Sequence, residues 1–365
     1  MTLPDPCADV LRDPLCAARE SGQPVVLFVS NNVPLELIHA AGCFPLQLPT
    51  APRERAPRAD HYLEAGFEPT VRCALEQLLG GELAIARLLV LPRTIDAWQR
   101  FYYYACELGR SFGERLPEPF LYNLLHTPFP SSAQYNLQST RALSDKLAAL
   151  SGRAVTDDAL AGSIALYNRL RGKLARLIAR RRATPCQLPG TTALELYTAS
   201  QRIAPERFET VLDALLGSQP CAAPGVRTLL IGSAHDTPAL HAMIARAGGQ
   251  VVADYHWRGD LLWGAQVRAD LPPLEALAEH CHRDTLSTRT FPTPLDRLLV
   301  LAADSGAEVA VFCYYAEEEA LTWDHPAQAA ALQARGLRSM VLERESYPPR
   351  PEAEARLRAF FEGSS

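Results

Sequence analysis

The sequence predicts an α/β protein: two doubly wound parallel-sheet domains of flavodoxin or Rossmann type, joined by a helical connector. Three observations carry this. Short β-branched apolar runs alternate with helical segments at both ends of the chain. Glycines stand where those helices should stop, as at Gly42, Gly80–Gly81 and Gly248–Gly249. Between the two alternating regions, from Ser132 to Gly217, no strand pattern appears and apolar residues recur at helical spacing. The division expected is an N-terminal extension at 1–20, a first α/β domain at 21–131, the connector at 132–222 and a second α/β domain at 223–365.

The elements follow in order. Val25–Ser30 reads as a buried strand, Leu35–Ala41 as a helix after Pro34, and Phe44–Leu48 as the second strand. A loop rich in Arg and Pro leads to a helix from Pro69 to Leu79. A strand at Leu88–Leu91, a helix over about Ile95–Gly109 and a strand at Phe120–Leu125 complete the first domain. The connector's apolar positions include Leu143, Leu147, Ile164, Leu170, Leu174 and Ile178, with Pro185–Gly190 as a break. Its basic stretch Arg176–Arg182 reads as a solvated helix face, or as a contact for a phosphate or a partner. The second domain supplies strands at Arg227–Ile231, Val251–Asp254, Glu308–Cys313 and Ser339–Glu343. Its helices fall near 238–247, 273–281, 294–305, 317–334 and 352–362.

Composition narrows the function. The chain has 365 residues, a net charge of −5, 48% hydrophobic and 21% charged residues. That excludes a disordered chain and one basic enough to coat nucleic acid. No apolar run reaches the ~18–20 residues of a membrane span. Met1–Cys16 carries Asp5, Asp9 and Asp13 and no basic region before an apolar stretch, so no secretory signal is expected. Nine cysteines, scattered and without a CxxC pair, point to reduced thiols in the cytoplasm.

Ligands of open parallel sheets bind beyond the carboxyl ends of the strands. The residues expected there are Asn31, Asn32 and Glu36; Cys73; Arg93 and Asp96; Ser233, His235 and Asp236; Cys313, Tyr314 and Tyr315; and Glu343 and Arg344. Cys73 at a helix start and Cys313 at a strand end occupy comparable positions, one per domain. A helix N-terminus lowers a thiol's pKa and improves it as a ligand. Other patterns point nowhere. Ser233-x-His235-Asp236 lacks the hydrolase elbow, Gly232 begins no dinucleotide fingerprint, and no Walker A sequence occurs. His280-Cys281-His282 cannot converge on one ion from a helix, and the tyrosine runs at 102–104 and 314–315 read as packing.

The stretch Pro34-Leu-Glu36-Leu-Ile-His-Ala-Ala-Gly42-Cys-Phe-Pro45 resembles the first-domain motif P-x-E-x-x-x-A-x-G-x-x-P of the 2-hydroxyacyl-CoA dehydratase / benzoyl-CoA reductase family. Cys73 at its helix start, Phe312-Cys313-Tyr-Tyr-Ala and the closing Arg358-Ala-Phe-Phe-Glu362 segment are similar to that family in order and spacing, over roughly residues 20–362. The resemblance is to the smaller dehydratase subunit and to the corresponding C-type reductase subunit. It implies an oxygen-sensitive heterodimer with a homologous second subunit, acting on an acyl-CoA substrate through a [4Fe–4S] cluster held by three cysteines. An ATP-dependent activator iron–sulfur protein would deliver the electron for reductive dehydration or reduction. On that reading Cys73 and Cys313 are the metal and cofactor ligands, and Glu36 orients substrate or accepts a proton; alternatively Glu36 only pairs within its helix turn. No nucleic acid or membrane partner is implied.

One departure stands out. The family's middle cysteine precedes an Asp; here that position is Ile95, before Asp96. Isoleucine cannot ligate iron. Three readings follow: a cluster with a third ligand other than cysteine, a degenerate scaffold subunit supporting a cluster-bearing partner, or a cluster-free two-domain small-molecule binder.

Overall fold

The computed structural model describes residues 3–93, 96–283 and 295–363. Two short helices, α1 (Asp5–Arg12) and α2 (Cys16–Ser21), lead into the first sheet. Its order of elements is β1 (Val25–Phe28), α3 (Leu35–Ala40), β2 (Phe44–Gln47), α4 (Pro57–Tyr62), α5 (Pro69–Leu79), β3 (Ala86–Pro92), α6 (Asp96–Ser111) and β4 (Glu118–Tyr122). The strands run parallel in the order β2-β1-β3-β4. Every residue of β1 is buried, because helices cover both faces of the sheet and leave no polar side. Pro45 and Pro119 sit in the edge strands β2 and β4, where a missing amide donor breaks no ladder.

The connector is α7 (Pro130–Ser151), α8 (Asp157–Arg182), α9 (Gly190–Ser200) and α10 (Pro205–Gly217). Thr156 caps α8 by accepting the amide of Ala159 at 3.2 Å. Asp157 and Asp158 open that helix and Arg180–Arg182 close it, each sign favouring its end of the dipole. The second sheet is built from β5 (Val226–Gly232), α11 (Ala239–Arg246), β6 (Gly249–Tyr255), α12 (Pro273–Arg283), α13 (Leu295–Ser305), β7 (Val309–Tyr315), α14 (His325–Gln333), β8 (Arg338–Glu345) and α15 (Glu352–Phe361). Its order β6-β5-β7-β8 is again parallel and repeats the first. The predicted fold class therefore holds: two four-stranded parallel sheets with surrounding helices. No helix of the described residues is long and apolar enough to cross a membrane.

Several elements differ from the sequence reading. The N-terminal extension, for which the sequence reading named no helix, forms α1 and α2, and Cys7 and Val10 of α1 are buried in the core shared with α9 and α10. The Arg- and Pro-rich loop contains α4, held by Glu76, whose carboxylate accepts the amides of Arg58 and Ala59. The helix expected over 317–334 is a turn, a 3₁₀ stretch at Leu321–Trp323 and then α14, which starts where Pro326 fixes the first helical turn. The basic end of α8 is not simply solvated. Arg180 donates to the last carbonyls of α10, and Arg181 is fully buried. Helix α12 leaves the second half of the chain and covers the first sheet, placing Leu277 and Cys281 beside Leu143 and Leu147.

Candidate functional site

The carboxyl ends of the two sheets meet at a buried junction. Each sheet reverses its winding between its first and third strands, so the loops after them splay apart there and leave room for side chains. From the first domain come Thr50, beyond β2, and Cys73, one turn into α5. From the second come Asp236 beyond β5, Tyr315 closing β7 and Tyr347 beyond β8. Arg258 enters from the loop after β6, and Gln201 and Arg202 from the end of α9.

Asp236 is the centre of this junction. The Thr50 hydroxyl donates to its Oδ2 at 2.5 Å, and the Tyr347 hydroxyl bonds to its Oδ1. Tyr347 also reaches the Thr50 carbonyl at 2.9 Å. Arg258 lies 3.7 Å from Asp236 Oδ2 and donates to Gln47 Oε1 at 2.8 Å. All of these residues are at least nine-tenths buried. Burial first, and then the Asp236 carboxylate, push the Tyr347 phenol well above its ordinary value, so it stays a neutral donor. Tyr315 is fixed by its hydroxyl, 3.1 Å from the Ala234 carbonyl and 2.9 Å from His235 Nδ1. Burial, and then His256 and His241, hold His235 well below the usual histidine range.

The sequence-expected residues are distributed as follows. Cys73 packs against Tyr315 and Tyr347 in an apolar cluster that bridges the domains. Cys313 lies in a different cluster, on the face of β7 turned toward Leu230, Val311, Leu342 and Leu357 beneath α11 and α15. Burial raises both thiols, and Cys313 most, so neither is predisposed to be a thiolate. Among the described residues no group of three or more His, Cys, Asp or Glu is placed to hold a metal. Ile95 lies outside the described residues. As placed, the two thiols do not fit a shared cuboidal cluster: one is wedged between tyrosines, the other sealed in an aliphatic interior.

Glu36 is buried on α3, where Arg171 of α8 donates to its Oε1 at 2.6 Å. Burial opposes its charge, but Arg171 and then His280 outweigh this and hold the carboxyl below its ordinary value. The cavity beside it measures about 30 Å³, enough for a water but not an acyl chain. In this arrangement Glu36 clamps the connector to the first domain.

A second carboxylate belongs to the junction. Glu68, preceding α5, faces Glu318 from the turn after β7. Burial, then Glu318, push Glu68 up to about 8, and burial raises Glu318 as well. An acid whose folded pKa exceeds its unfolded value of 4.5 binds its proton more tightly when folded. The stability this gives is complete below about pH 4.5 and is lost as pH rises through about 8. The thermal midpoint is therefore expected to fall between about pH 4.5 and pH 8, and Glu68→Gln to flatten the fall. Parallel profiles for the two proteins would remove Glu68 from this role.

Sequence reasoning had placed Asp236, Tyr315 and Cys73 at strand or helix ends. It missed Thr50, Tyr347, Arg258 and Arg202. The arginines carried no signal, because nearly every basic residue of the chain is an arginine.

Two parallel sheets meeting end to end over a buried polar junction define a two-lobed α/β protein. The chain belongs to the 2-hydroxyglutaryl-CoA dehydratase D-component family, whose model matches residues 30–363, nearly its whole length. This bears out the likeness drawn from the Pro34–Pro45 stretch and the terminal segments. Among curated proteins, none matches the chain.

Proposed function

We propose that this chain is a subunit of a 2-hydroxyacyl-CoA dehydratase-type enzyme that carries no cluster of its own. It pairs with a homologous, cluster-bearing subunit that acts on the acyl-CoA thioester and takes its electron from an ATP-dependent activator. The observation that carries this reading is the pair of thiols. Cys73 packs with Tyr315 and Tyr347, while Cys313 faces the aliphatic interior of the second domain. Ile95 at the position of the middle ligand points the same way. Where a cluster would need anionic sulfur and an open face, the junction instead supplies hydrogen bonds that close the lobes on each other. A supporting subunit gains from that closure, since a rigid surface is cheaper to dock than a mobile one.

The test is anaerobic purification of the chain, alone and co-expressed with a candidate homologous subunit, followed by iron and acid-labile sulfide analysis. Far less than one cluster per chain is expected for the isolated protein, together with co-purification of the second subunit. About four irons and four sulfides per isolated chain, lost in Cys73→Ser and Cys313→Ser, would overturn the proposal. Ile95→Cys is expected to restore no iron, because the missing thiolate is not the single defect.

A further inference from the structure

A cavity of about 600 Å³ opens beside the junction, between the loop after β2, the loop after β5, α9 and the N-terminal helices. That is the size of a small-molecule site. Leu11, Pro14 and Leu15 of the N-terminal segment form one wall, and Ala51 and Pro52 form part of the rim. Arg202 lines the interior. It is 7% exposed, its Nε is buried without a partner, and its guanidinium makes no hydrogen bond or ion pair among the described residues. Asp236, the nearest opposing charge, already accepts from Thr50 and Tyr347 and lies 3.7 Å from Arg258. Two of the other acids on the cavity are also engaged: Asp13 with Arg19 at 2.6 Å and Glu82 with Arg53 at 2.5 Å. Glu195 remains, and burial raises its pKa, which favours its protonated, donating form.

A desolvated guanidinium facing a cavity is costly to keep. Burial lowers Arg202 to about 10 despite the attraction of Asp236, which measures how poorly the charge is compensated. The planar fork of arginine matches a carboxylate or a phosphate. The Thr237 hydroxyl also lines the cavity, whereas the Gln77 amide there already donates to the Pro49 and Cys73 carbonyls.

We propose that Arg202 anchors a small-molecule anion, carboxylate or phosphate, in this cavity between the lobes. Because the ligand touches the N-terminal helices and both domains at once, it ties the three together. This site is independent of whether the chain carries iron, so its success or failure is separate from the proposal above.

Titration calorimetry of the intact chain tests it, with inorganic phosphate and succinate as probes against chloride at matched ionic strength. Saturable binding of one or both is expected, and the preference identifies the anion class. Arg202→Gln is expected to weaken that binding roughly 10–100-fold, the loss of a charged hydrogen-bonding partner. The variant should fold at least as well as the parent, since it removes an uncompensated buried charge. Ala51→Trp, a change at the exposed rim, should weaken binding without touching Arg202. If neither probe saturates, or if Arg202→Gln binds as tightly as the parent, the proposal is wrong.

Discussion

Asp236→Ala is expected to destabilise the protein by about 3–5 kcal/mol and to uncouple the two lobes. The carboxylate holds the Thr50 and Tyr347 hydroxyls and stands next to Arg258, with Arg202 the other cation close by. Removing it leaves two buried guanidinium groups near each other with no opposing charge, which is far worse than losing the hydrogen bonds alone. Tyr347→Phe removes a phenol but leaves every charge in place, so its cost should be about 1–3 kcal/mol. Thr50→Val should resemble it. The two substitutions share Asp236, so their combined cost should differ from the sum of the singles by about 0.5–3 kcal/mol. Urea unfolding followed by far-UV circular dichroism reads all four variants against the parent. Unfolding of Asp236→Ala should also split into two transitions, because Thr50 belongs to the first domain and Asp236 and Tyr347 to the second. A loss below about 1 kcal/mol with a single transition would show that the junction is solvated and that Asp236 does not hold the lobes.

The same junction marks the limit of what the sequence disclosed. Strands such as Val25–Phe28 and Val309–Tyr315 are legible because burial on both faces selects an unbroken apolar run. The helix over Pro69–Leu79 is legible because proline starts it and Gly80–Gly81 end it. The junction has no such local pattern. Thr50 and Asp236 are 186 positions apart, Thr50 and Tyr347 297. Nothing near any of the three in sequence reports the other two. The motif residues show the converse. Cys73, Cys313 and Glu36 were found by their neighbours in sequence, but a motif does not say which way a side chain turns. In β7 the alternation of the strand sends Val311 and Cys313 to one face and Phe312 and Tyr314 to the other. The chemistry of Cys313 depends on that parity more than on its spacing.

Arg181 gives a second instance with an equally large consequence. In a run of arginines ending a long helix it looked like surface, yet it is fully buried. Its Nη2 donates to Asp254 Oδ2 at 2.7 Å, its Nε donates to the Val251 carbonyl at 3.0 Å, and Asp260 lies 3.4 Å from Nη1. His241 Nε2 lies 2.8 Å from the other oxygen of Asp254, and the Tyr197 hydroxyl donates to Asp260 at 2.5 Å. The cluster thus fastens α8 and α9 of the connector to β6 and α11 of the second domain. Asp254→Ala should cost about 3–5 kcal/mol, because Asp260 alone would be left to compensate a guanidinium with no access to water. Arg181→Met should cost at least as much as Asp254→Ala, since it leaves two buried carboxylates, Asp254 and Asp260, with only His241 and Arg182 beside them. The pH dependence has a definite sign. Burial opposes the Asp254 charge, but Arg181 and then His241 outweigh it and hold the carboxyl far below its ordinary value. The stability it contributes is therefore complete above about pH 4 and is lost as pH falls below that value. Acid titration of urea midpoints should show this loss in the parent and not in Asp254→Ala. If the two acid profiles coincide, Arg181 is not held by Asp254, and the connector is joined to the second domain by packing alone.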